Sequence, residues 1–111
     1  MVYPVLEASQ DLDGIEVLDL RTISPWDKEA VLESVKKTGK CLMVTEEPSN
    51  NSFALALAGK IQEQCFQYLD APVMTIGSEN MPAIPLNSTL EQTMIPSTVK
   101  VKDKILTLLN Y

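Results

Sequence analysis

Three observations predict an α/β domain with a mostly parallel sheet. Short apolar runs at Ile15–Leu20, Cys41–Thr45 and Pro72–Gly77 alternate with stretches of helical periodicity, the pattern left by right-handed crossovers between parallel strands. The run Leu18-Asp19-Leu20-Arg21-Thr22-Ile23-Ser24-Pro25-Trp26-Asp27 carries an apolar strand straight into a proline-started helix, the opening unit of such a domain. A length of 111 residues, 45% hydrophobic and 22% charged, suits one small core and argues against disorder. The expected architecture is a three-layer helix–sheet–helix sandwich over residues 1–111.

Each element has a local reason. Val5, Leu6, Ser9 and Leu12 fall at helical spacing, and Asp13-Gly14 closes that first helix. Ile15–Leu20 reads as a partly buried strand. Ser24 is the expected cap of the second helix, with Pro25 in its first turn and Asp27 completing a capping-box-like pair. Val31, Leu32 and Val35 form its inward stripe, and Thr38-Gly39 ends it. Cys41–Thr45 is continuously apolar, as a strand covered on both faces should be. After the polar turn Ser49–Ser52, Phe53, Leu57, Ile61, Cys65 and Tyr68 recur every three or four residues. Pro72–Gly77 is the third strand, its proline tolerable only at the start. A proline-punctuated loop, a short helix near Leu90–Met94, and a final helix capped by Ser97 or Thr98 follow. That final helix turns Val101, Ile105, Leu108 and Leu109 inward.

Composition narrows the function classes. Fifteen acidic against nine basic residues give a net charge of −6, and with only 5% aromatics the chain is a poor candidate for nucleic-acid binding. Lys36, Lys37 and Lys40 lie at a helix end, and Lys100, Lys102 and Lys104 on a solvated face. Cys41 and Cys65, with no histidine anywhere, cannot assemble a four-ligand zinc site and read as reduced core residues. No apolar run reaches the ~18–20 residues of a membrane span. Met1-Val2-Tyr3-Pro4 lacks a signal peptide's basic start, so a cytoplasmic location is expected.

Candidate chemistry is sparse. Arg21 ends one strand and Glu46-Glu47 another, on the sheet edge where open α/β folds bind ligands; a structural ion pair of Arg21 with Glu46 or another nearby carboxylate is expected. Glu46 and Glu47 are neighbours on a strand and point to opposite faces, so they cannot flank one reacting bond. Ser24, Ser49 and Ser52 have no histidine to activate them, and Gly39 and Gly59 belong to no phosphate-binding fingerprint. No catalytic, cofactor-binding or metal residue is assigned. Trp26, Asp103 and Tyr111 are the candidate partner-binding residues, the last two on or beyond the final helix.

The wording of the chain adds a resemblance. The Leu18–Asp27 run, Ser34–Lys40, Glu46-Glu47-Pro48, Ile61–Phe66, Leu69–Pro72, Met81–Pro85, Leu90-Glu91, Ile95-Pro96 and Leu108–Tyr111 together are similar to the transketolase-type carboxyl-terminal domain of thiamine-diphosphate-dependent 2-oxoacid dehydrogenase beta subunits, of branched-chain or pyruvate type. The resemblance implies a supporting domain, with thiamine diphosphate and magnesium held elsewhere between upstream domains. It implies partners as well: other domains and subunits of an oligomeric enzyme, and the peripheral subunit-binding domain of an acyltransferase core. It also implies a strand just before Tyr3, lying between Ile15–Leu20 and Cys41–Thr45, and hence that this chain is a fragment of a longer one. The chain departs from the pattern of that family at three places: Thr45–Pro48, where many relatives have His-Glu-Ala-Pro; Asn51-Ser52, where they have a glycine pair; and Ala56, where a glutamate is expected. A transketolase or deoxyxylulose-phosphate synthase relative, and a free-standing acidic binding module, are the alternatives.

Overall fold

The computed structural model describes residues 1–111. Its elements are α1 (Val2–Ser9), α2 (Lys28–Thr38), β1 (Leu42–Pro48), α3 (Phe53–Cys65), a short 3-10 turn at Phe66–Tyr68, β2 (Met74–Ser78), α4 (Ser88–Met94) and α5 (Thr98–Leu109). β1 and β2 pair in parallel as a two-stranded sheet. The helix–sheet–helix layering expected from sequence is present, around a sheet one strand narrower than expected.

Strand periodicity explains the layering. Leu42 and Val44 of β1 pack with Ile76 of β2 against Ala8 of α1 and Val101 and Ile105 of α5. The intervening Cys41 and Met43 pack toward Val31, Val35, Leu57, Ile61 and Cys65 of α2 and α3. Successive residues thus feed two separate cores, one on each face of the sheet. Small residues let α3 lie close to its neighbours, and Ala54 and Ala58 are both buried.

Helix ends follow local chemistry. Asp27 caps α2 by accepting from the Ala30 amide at 3.1 Å, and Ser52 and Ser97 cap α3 and α5 in the same way. The expected start at Ser24 is therefore shifted to Lys28: the stronger cap lies three residues on, and Lys28 N–H closes a turn onto the Trp26 carbonyl. Gly39 ends α2 in the left-handed region at φ 73°, and an added Cβ would collide with the Asp70 carboxylate. The Gly39 carbonyl accepts from Asp70 N–H at 2.8 Å, and Lys40 Nζ reaches the Leu109 carbonyl at 3.0 Å. These bonds tie the entrance of β1 to the segment before β2 and to the end of α5.

Residues Ile15–Leu20 are the principal departure. They form no strand. Their side chains still alternate like one, with Ile15 in the α1–α5 core and Leu20 against the α2–α3 core. A strand also requires a ladder, however, and residues 13–19 make no main-chain to main-chain hydrogen bond. The segment is held by side chains instead. The Glu16 carboxylate accepts from Ser34 Oγ at 2.7 Å and pairs with Lys37 Nζ, both on α2.

Two outcomes follow from this packing. Ile61 is fully buried between α2, α3 and β1, so Ile61→Ala is expected to cost ~2–5 kcal/mol in denaturant unfolding, through lost transfer energy and a residual cavity. The hydrogen bond from Lys37 and then that from Ser34 hold the Glu16 carboxyl below its ordinary range, and the same pairing raises Lys37. The Glu16 contribution is complete above the unfolded glutamate value and is lost as pH falls through the lowered folded value. In a carbon-detected NMR titration, Lys37→Ala should move the Glu16 midpoint upward; an unmoved midpoint would remove this pairing as the anchor of the segment.

Candidate functional site

The carboxyl end of the sheet is shaped by a register shift. Val44 pairs with Ile76, but the next pair is Pro48 with Ser78, so β1 spends four residues where β2 spends two. The excess, Thr45–Glu47, arches over Gly77, where an added Cβ would lie 2.5 Å from the Glu47 carbonyl oxygen. The fully buried Ser78 fastens the arch: its hydroxyl donates to the Glu46 carbonyl at 2.6 Å, and its own carbonyl accepts from Ser49 N–H at 3.0 Å.

Beyond the arch, Asn51 takes a left-handed conformation at φ 55°, which asparagine tolerates better than most residues. This turns the chain so that Glu47 Oε2 accepts from the Phe53 amide at 3.0 Å while Ser52 Oγ accepts from Leu55 at 3.1 Å. The start of α3, where an anionic ligand could otherwise sit, is met by the protein's own carboxylate. Glu46 remains exposed.

The expected pairing of Arg21 with Glu46 is not made. Arg21 Nε lies 3.3 Å from Asp19 Oδ2, and its backbone N–H donates to Asp19 Oδ1 at the same distance. The cause is local: Arg21 sits at φ 53° in a tight turn, so the carboxylate two residues back is the nearest acceptor. With 85% of its side chain exposed, the pair adds little to stability.

Between these features runs a groove of about 540 Å³. Residues 16–21 form one wall and residues 40–46, including most of β1, form the other; Val5 of α1 and Val31 and Val35 of α2 complete it. Arg21 and Glu46 sit on opposite walls. Residues Leu42–Thr45 are only half-buried as a result. The sequence reading reached both walls but not the opening between them, because strand propensity does not report whether a ladder partner is in place.

Remaining candidates are dispersed. Trp26 is half-buried against the α2–α3 core, Asp103 is exposed on α5, and Tyr111 is exposed at the chain end. Both cysteines are free; burial, and next the neighbouring Cys65 sulfur, push the Cys41 thiol up to about 11, which leaves it a poor nucleophile. No group of three or more His, Cys, Asp or Glu side chains could hold a metal ion, and no helix is long and apolar enough to cross a membrane. This donor set does not build a magnesium–diphosphate site, so no step of cofactor chemistry is assigned to these residues. The carboxylates near the sheet end serve as a cap and as a partner for arginine, an arrangement suited to holding polypeptide together.

Known proteins agree with this picture. The family model described as "Transketolase, C-terminal domain" matches residues 1–101. The chain is 38% identical over 108 residues to the pyruvate dehydrogenase E1 component subunit beta of Rhizobium meliloti (strain 1021), covering 95% of this chain and 23% of that protein. It is 40% identical over 105 residues to the 2-oxoisovalerate dehydrogenase subunit beta of Bacillus subtilis (strain 168), covering 91% and 32%. Against the mitochondrial 2-oxoisovalerate dehydrogenase subunit beta 2 of Arabidopsis thaliana it is 38% identical over 111 residues, 100% of this chain and 30% of the relative. The chain thus spans between about a quarter and a third of the length of these relatives. Sequence, layered fold and family match lead to one statement: this chain belongs to the transketolase C-terminal domain family.

Proposed function

We propose that this chain is the supporting carboxyl-terminal domain of a decarboxylating 2-oxoacid dehydrogenase beta subunit, and a fragment of a longer polypeptide. The observation that carries this reading is the match over residues 1–101 to a domain whose relatives bear dehydrogenase beta-subunit names. The complete enzyme would decarboxylate pyruvate or a branched-chain 2-oxoacid on thiamine diphosphate with magnesium and pass the acyl group to a lipoyl carrier. The cofactor would lie on other domains, and this one would contribute shape and contacts. A cytoplasmic setting belongs to the same proposal.

The partner side of the proposal rests on charge. Asp103 and Tyr111 are exposed along and beyond α5, where Lys100 and Lys102 are already paired with Glu79 and Asp11, and the chain carries a net charge of −6. A basic peripheral subunit-binding domain of an acyltransferase core is a suitable electrostatic counterpart. Trp26, held half-buried against a core, offers only its outer edge to a neighbouring subunit.

Two measurements test this reading. Supplied with thiamine diphosphate, magnesium and either 2-oxoacid, the 111-residue chain should show no decarboxylation, and genuine turnover would overturn the supporting role. Calorimetric titration with the subunit-binding domain should show binding at low salt that weakens at least tenfold near 0.5 M, where charge attraction is screened to roughly 4 Å. Absence of binding at low salt would reject the docking surface.

A further inference from the structure

We infer that the outer edge of β2 is a self-association surface, on which a second copy of this chain pairs antiparallel about a two-fold axis at Thr75, joining the two sheets into one. The inference goes beyond the dehydrogenase reading and does not rest on it. It concerns the side of the sheet away from the groove.

Hydrogen-bond parity shows which groups are free. Met74 N–H donates to the Cys41 carbonyl at 3.0 Å and the Ser78 carbonyl accepts from Ser49 N–H at 3.0 Å, so the even-numbered residues of β2 face β1. Thr75 and Gly77 therefore turn their N–H and C=O groups outward, where nothing in the chain meets them. On either side of this gap the edge is closed. Val73 N–H donates to Gln62 Oε1 at 2.8 Å, and Glu79 N–H to the Met94 carbonyl at 3.0 Å. Both acceptors stand where a neighbouring strand would place a carbonyl, so the open stretch suits a short strand.

Antiparallel pairing centred on Thr75 answers these groups. Thr75 of each copy exchanges N–H and C=O with its counterpart, and opposed threonines are a favourable cross-strand pair. Gly77 N–H meets the second copy's Val73 carbonyl, and the Gln62 amide yields Val73 N–H to the second copy's Gly77 carbonyl. Glu79, whose N–H is already taken, falls opposite Ala71 of the second copy. There the chain has turned aside, since the neighbouring Asp70 N–H donates to the Gly39 carbonyl. A two-fold arrangement closes after one partner, so the sheet does not propagate further.

The helices flanking this edge argue for a second copy as the occupant. On the α5 side, a cleft of about 400 Å³ runs between Thr75–Gly77 and a helical stripe of Lys100, Asp103, Lys104 and Thr107. With Glu79, which also lines it, the cleft carries two bases and two acids, a neutral patch on a chain of net charge −6. Elsewhere two copies repel; here they do not. Asp103 and Lys104 have no ion-pair partner within the chain, and a two-fold axis offers each the opposite charge on the other copy. On the α3 side, Leu55, Gly59, Gln62 and Phe66 recur at helical spacing, and the Gln62–Val73 bond puts that stripe at the same edge. Leu55 is 46% and Phe66 71% exposed, with Gly59 open between them. Apolar at both ends and small or polar in the middle, the stripe fits its own reversed copy.

The test is sedimentation equilibrium of the 111-residue chain at low salt from about 20 μM to about 1 mM, with amide hydrogen exchange of the 15N-labelled chain at both limits. The expected result is a dimer at the upper limit, with exchange at the Thr75 and Gly77 amides slowed roughly fivefold or more there. The Leu42 and Val44 amides, which face the groove, should exchange alike at both limits. Lys104→Glu, which leaves the cleft with one base and three acids, should weaken the dimer roughly tenfold, and adding Asp103→Lys should restore it. A monomer at the upper limit, a dimer with unprotected Thr75 and Gly77, or a Lys104→Glu dimer as tight as the unaltered one would each overturn the inference. So would protection confined to Leu42 and Val44, which would mark the groove as the contact instead.

Discussion

The alternation of side chains along β1 is the constraint on which the molecule depends. Cys41 and Met43 turn to one core and Leu42 and Val44 to the other, so a single strand separates and joins two helical layers that otherwise have no common interior. Every helix position can be read from this. α3 lies over one face because Leu57, Ile61 and Cys65 share a stripe, and α5 lies over the other because Val101, Ile105 and Leu108 do. Shifting β1 by one residue would exchange the contents of the two cores, and the apolar stripes on both sides resist that exchange together.

Most of this was legible in the residues. The stripe of α3 and the glycine end of α2 are decided within a few residues of themselves, and periodicity and capping rules find them; the caps are narrowed only to the Ser49–Ser52 turn for α3 and to Ser97 or Thr98 for α5, where the structure uses Ser52 and Ser97. The start of α2 was misplaced because Ser24 and Asp27 both have capping side chains and the choice depends on the turn before them. Ile15–Leu20 was misread for a different reason. Its composition and parity are those of a strand, but strand character is a property of a pair, and the local sequence is silent about the partner. Arg21 pairs with a nearby carboxylate, but not with the Glu46 that the shared sheet edge suggested: a left-handed turn brings Asp19 nearer.

Functional legibility divides along the same line. Motif absence argues against nucleophilic, zinc and phosphate-loop chemistry, whereas the family match over residues 1–101 rests on the ordered wording of the chain. The arch at Thr45–Glu47 was hidden, since it depends on an unequal residue count in two strands and on the smallness of Gly77. Asn51 adopts the left-handed turn there, and the following serine supplies the cap.

Glu47 has a wider effect than the single amide it meets. Its carboxylate meets the partial positive charge at the first turn of α3, so that charge is answered from within the chain while Glu46 beside it stays exposed. One glutamate thereby occupies, from within the chain, what could have been an anion pocket at the first turn of this helix.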